Sequence, residues 1–192
     1  INNTQYTAAT GYMYGAVYVD KKSGSLLMDN VTISNSNGVA SSVLYVKGKV
    51  TVKNSRIVDN VVTVSATGYQ GESVLAVHKD NGDLTIEQSV IANNTAPKNF
   101  IYATASNLAV VLNYNAIYDN SFNESMGFKN SNVALNANYN WWGSNDKPAY
   151  VTVDNWVVMN ASYTQNANDI VVFADFTKFT TGSANSTLEK QS

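Results

Sequence analysis

The chain of 192 residues contains no cysteine, one histidine and two prolines. Arg56 is its single arginine. Without cysteine there can be neither a disulfide nor a thiolate metal site. One arginine, a formal charge of −2 and a pI near 5.2 leave no basic footprint, so nucleic acid is not an expected partner. His78 is the sole histidine, so any Ser–His–Asp or histidine-based metal site has one candidate. It follows Val77 at the end of an apolar run and reads as a turn residue. Nothing calls for a metal or a cofactor. The DNGD turn, residues 80–83, offers too few oxygens for calcium and reads as a β-turn. No apolar run approaches eighteen residues, so no membrane-inserted helix is expected. Pro97 and Pro148 fall where loops are expected.

What the sequence does have is a repeat. The stretch VTVKNSRIVDN at residues 50–60 matches the segments starting at Leu26, Leu84, Val110 and Leu135, at intervals of 24, 34, 26 and 25 residues. A period in the twenties points to a stack of similar units. The first column of the aligned copies reads Leu26, Val50, Leu84, Val110, Leu135. The third reads Met28, Val52, Ile86, Leu112, Ala137, and the eighth Ile33, Ile57, Ile91, Ile117, Trp142. All of these are apolar in a chain that is 44% apolar, and polar columns lie between them. Apolar residues two apart are the pattern of a strand buried on one face. The last column, Ser36, Asn60, Asn94, Asn120, Asn145, predicts side-chain amides stacked one on the next.

A second apolar run precedes each copy: AVYV from Ala16, VLYV from Val43, VLAV from Val74 and FIYA from Phe100. Each unit therefore holds about three short strands and returns to its starting place. The expected fold is all-β, a parallel β-helix of about five coils over residues 1–149. From Ala149 the period stops. Two longer strands, expected at Tyr150–Met159 and Ile170–Phe179, should cap the last coil or begin an immunoglobulin-like stalk over residues 150–182. Residues 183–192 read as a flexible tail. The opening INNTQYTAATGYMYG reads as the middle of a longer chain, completing an earlier coil or covering the end of the stack.

Three residues are candidates for contact with a ligand. The long interval comes from an insertion, TVSATGYQGE at residues 63–72, whose tip carries Tyr69 and Gln70. The column just before the isoleucines holds Thr32, Arg56, Val90, Ala116 and Trp141, and in a regular strand it points outward. Trp141 could there stack on a sugar or a partner surface, or pack beneath residues 148–156. Six glycosylation sequons occur, a number that the abundance of Asn, Ser and Thr produces by chance, so they carry no weight.

The last copy continues as NYNWWGSNDKP, residues 138–148, followed by DNWVVMNASY. This resembles the NWWG-x-N-x-x-P signature of the adhesin-like surface proteins of methanogenic archaea. With the repeats, the resemblance covers nearly the whole chain, although no complete stalk domain follows. It implies a right-handed helix ending at the motif, an extracellular place on the cell surface, and adhesion to a glycan or protein of another cell. The isolated segment is expected to be a monomer. Trp142 would fill the core where no further coil contributes, Gly143 would permit a turn, and Pro148 would end the ladder. Two other functions are weighed against adhesion. One is a structural spacer, which shares every feature of the fold. The other is a polysaccharide lyase or hydrolase, which needs paired carboxylates or a base with cationic support. Asp59 and Asp119 share a column, but Asn93 stands between them. No enzymatic activity is expected.

Overall fold

The computed structural model describes residues 1–7, 15–20, 23–64, 72–78, 82–103, 108–123, 127–129 and 133–181. Among these there is no helix. Three parallel sheets run along the stack. The first contains Gly15–Val19, Ser42–Val46, Ser73–Val77, Asn99–Ala103 and Phe128–Lys129. The second contains Ser25–Asp29, Lys49–Lys53, Asp83–Glu87, Ala109–Asn113 and Ala134–Asn136. The third contains Thr32–Ser34, Arg56–Val58, Val90–Ala92 and Ala116–Tyr118, and a bridge from Ala116 to Trp141 extends it. Within each sheet the order in space is the order in sequence. The chain visits the three walls in rotation and returns one rung further on, which is a parallel β-helix. A fourth, shorter sheet joins Gln5–Thr7, Asn37–Val39 and Val61–Thr63, so the early coils hold four strands where three were expected.

The register follows the repeat. Leu26 pairs with Val50, Val50 with Leu84, Leu84 with Val110, and Val110 with Leu135. Ile33, Ile57, Ile91 and Ile117 pair in the same way. Their side chains pile up inside a single core. The ten-residue excess of the 34-residue interval leaves Lys49–Lys53 and Asp83–Glu87 in register across all five residues. The added length therefore lies outside the ladder. Tyr69 and Gln70, at its tip, lie outside the described residues, as does the tail 183–192. Ser42–Val46 and Ser73–Val77 are buried on both faces, which is why they read as continuous apolar runs with no alternation.

Corners between walls are made by single residues in the left-handed region. One series is Asn30, Asn54, Gln88, Tyr114 and Tyr139, with φ from 49° to 63°. The other is Asn35, Asp59, Asn93 and Asp119, with φ from 52° to 58°. Asn and Asp enter this region at the lowest cost of any residue with a Cβ, which accounts for most of these positions. Gln88, Tyr114 and Tyr139 are exceptions, and the two tyrosine rings stack at 5.3 Å with an 8° interplanar angle.

Most corners are followed by a buried or half-buried polar side chain that serves the preceding coil. Asn60 Oδ1 accepts from Ser36 N, Asn94 Oδ1 from Asn60 N and Nδ2, and Asn120 Oδ1 from Asn94 N and Nδ2. The turning backbone cannot complete its own ladder at these points, and the amides satisfy it. A second ladder stands at the other corner. Ser55, Ser89, Asn115 and Asn140 accept in turn from the backbone N–H groups of Val31, Ser55, Ser89 and Asn115.

Asn145 departs from its column. In the last coil the second corner is Gly143, with φ 83°, one residue earlier than in the other copies. A Cβ on Gly143 would lie 3.0 Å from the Cβ of Tyr118. With the turn advanced, Asn145 is exposed and bonds a later segment instead of an amide above it.

At one end of the stack, residues 1–7 pair with the third and fourth sheets, through the Asn2–Ser34 bridge and through Gln5–Thr7 on Asn37–Val39. At the other end the core closes with aromatic rings. Trp142 is 6% exposed and meets Phe128 and Tyr150 edge-on, at 6.1 and 6.0 Å between centroids. Val151 and Val153 are buried in the same core, which therefore extends past residue 149. The alternation that predicted a strand from Tyr150 reflects this plugging. The strand itself begins later, at Val157–Gln165, and pairs antiparallel with Ile170–Phe179 as a hairpin.

Candidate functional site

The hairpin is hung from the last coil by its base. Tyr139 N donates to Asn155 O, and Val157 N to Asn140 O. Asn138 Oδ1 accepts from the backbone N–H groups of Asp154 and Asn155. Val157 and Phe179 are buried against Tyr114, Tyr139 and Trp141, so the stacked corner tyrosines form the seat of the hairpin. Asn145 holds it a second time. Its Oδ1 accepts from Met159 N at 2.6 Å, its Nδ2 donates to Met159 O at 2.9 Å, and its own carbonyl accepts from Trp156 Nε1 at 2.9 Å.

Met159 is the point where the hairpin is irregular. Val158 pairs with Lys178 but Asn160 pairs with Asp175, so Phe176 and Thr177 together face Met159. One extra residue in one strand is a β-bulge, which turns side chains away from strict alternation. Its effect is that Phe173, Asp175, Phe176 and Thr177 all line one groove of about 670 Å³ between the hairpin and the third wall of the helix. The facing side is Trp141 and Tyr118, with Ala116, bridged to Trp141 and two residues before Tyr118, too small to fill the space.

Trp141, outward-pointing as its column predicts, is half-buried. It packs edge-on against Phe176 of the hairpin, at 5.0 Å and 80°, and joins the cluster of Val157 and Phe179. Its remaining surface belongs to the groove. Phe173 and Phe176 keep 53% and 40% of their surface exposed, unusual for phenylalanine on a strand. Asp175 is the groove's charge. The hydroxyl and backbone N–H of Thr177 both donate to its Oδ1, at 2.6 and 2.8 Å, and hold the carboxyl below the usual range, so it is ionised at neutral pH.

The remaining sequence candidates are elsewhere. Asp59 and Asp119 are exposed corner residues separated by the coil that carries Asn93. His78 is half-buried with its ring edge-on to Tyr45 at 6.1 Å. Tyr118, Phe173, Asp175 and Phe176 are lining residues that the repeat pattern does not mark. The run IVVFADFTKF carries apolar residues on both faces of a strand, one more than a simple cap requires, and that was the available signal. Among the described residues, no three His, Cys, Asp or Glu side chains are grouped to hold a metal ion. No family model, curated protein or solved structure matches the chain.

Proposed function

We propose that this chain is an adhesive segment of a cell-surface protein and that it grips a glycan in the groove between the hairpin and the last coils. The observation that supports this reading is the composition of the groove. Trp141, Tyr118, Phe173 and Phe176 offer ring faces and edges, and Asp175 and Thr177 offer the few polar groups. A sugar ring has an apolar C–H face that covers an aromatic ring and hydroxyls at its rim that need acceptors, so it suits a mostly apolar cleft with a few fixed polar groups. The stiff helix beneath is held by hydrogen bonds on every rung, and a groove built on it is set before the ligand arrives. Modest affinity at one groove would be multiplied by many copies on a surface. The sparsely charged, amide- and hydroxyl-rich composition suits an extracellular setting, and that placement is part of the proposal.

The test is a glycan array probed with the full chain, followed by titration of the best ligand. Trp141→Ala should weaken binding about tenfold or more, as removal of a central aromatic anchor does. Trp141→Phe, which keeps an apolar ring, should recover part of the loss. Thermal unfolding of both variants checks that the hairpin remains seated. If glycans bind and both variants bind like the parent chain, the groove is not the site. If nothing on the array binds while the chain still adheres to cells, the ligand is a protein. If it adheres to nothing, the segment is a spacer.

A further inference from the structure

The groove carries a charge asymmetry that bears on which glycans it can accept. Its lining includes the carboxylate of Asp175 and no lysine, arginine or histidine. Both Thr177 donors land on Oδ1, and Oδ2 receives no hydrogen bond from the described residues. That oxygen can accept from a hydroxyl, or from the N–H of an acetamido or amino group. It can only repel a carboxylate or sulfate. Lys178, the nearest cation along the hairpin, is close enough to favour the charged form of Asp175, but it is exposed and is not part of the lining. Lys147 and Asp146, on the exposed turn after Gly143, are also outside it. An anion entering the groove would lose hydration against Trp141, Phe173 and Phe176 and gain no counter-charge from the lining.

We propose, resting on the glycan-binding reading above, that the groove is a selectivity filter by charge. It takes neutral, N-acetylated or amino sugars and excludes uronate-containing and sulfated polysaccharides. The aromatic walls supply affinity to any pyranose of the right width, and Asp175 decides by sign. A net charge of only −2 spread over the whole chain cannot do this, because at physiological salt fields from distant charges are screened within about 8 Å. The discrimination has to be local.

The experiment is a titration of the full chain against paired oligosaccharides of equal length. Oligogalactose and chitooligosaccharides stand for the neutral class, and oligogalacturonate and a sulfated galactan for the acidic class. At low salt the acidic member of a pair should bind at least about fivefold more weakly, the scale of one like-charge contact near 4 Å in water. Asp175→Asn keeps an acceptor for Thr177 and removes the charge, and it should bring the two classes to within about twofold. The parent chain supplies a check that needs no variant: raising the salt from low to high should narrow the gap, because the repulsion is screened. Equal or tighter binding of the acidic class, or a gap unmoved by both Asp175→Asn and salt, overturns charge selection while leaving glycan binding intact. Binding to neither class overturns both proposals.

Discussion

Asn94→Leu should destabilise the chain by about 4 kcal/mol although the two side chains are nearly equal in size. Asn94 is fully buried. Its Nδ2 donates to Ile57 O at 2.8 Å, to Ala92 O at 3.1 Å and to Asn120 Oδ1 at 2.9 Å. Its Oδ1 accepts from Asn60 N and from Asn60 Nδ2. Leucine makes none of these bonds. Each buried donor or acceptor left without a partner costs about 1–3 kcal/mol, and the penalty falls on the coils on both sides. Asn93→Gly is the matched control. Asn93 is the exposed corner next door, at φ 55°, where glycine is at ease, and the change should stay within about 0.5 kcal/mol. Urea unfolding of both variants checks this. If they lose similar amounts, the buried amides do not hold the coils together.

Trp142→Ala should cost a similar amount, about 4 kcal/mol, by a different route. The indole closes the open end of the core against Phe128 and Tyr150, and Phe100 and Phe122 continue the cluster at 5.2 and 5.7 Å. With no coil beyond to collapse into the space, most of the volume removed persists as a cavity. Trp142→Phe should be far milder, within about 1 kcal/mol, because the indole Nε1 is buried without an acceptor among the described residues and phenylalanine removes that liability along with some volume. Thermal unfolding distinguishes these outcomes. A phenylalanine variant as unstable as the alanine variant would show that the indole nitrogen has a role the core packing does not reveal.

The helix was legible in the sequence because stacking turns it into columns. Leu26, Val50 and Leu84 share a column in the alignment and a rung contact in space, so one inference yields both the strands and their register. The Ser55–Asn140 ladder is harder to read, since its column begins with Val31 and Ser, Ser, Asn and Asn look less uniform than a run of Asn. The repeat aligns Asn145 with a ladder it does not join, because a one-residue advance of the corner to Gly143 leaves the spelling of the repeat intact. The groove was the least legible part. Trp141 could be assigned outward from the repeat, but Phe173, Asp175 and Phe176 stand beyond it, where no column exists. Their convergence depends on a bulge opposite Met159 that only the paired strands reveal.

The stacked architecture itself can be tested by one distance in solution. Leu27 and Asn136 are both exposed, lie 109 residues apart in sequence and occupy the first and fifth strands of one parallel sheet. Spin labels on Cys substituted at these two positions, measured by double electron–electron resonance, should give one narrow distribution near 20 Å, about four inter-strand steps. A broad distribution, or a narrow one well beyond 35 Å, would contradict the stack of coils on which the ladders, the plugged end and the groove all stand.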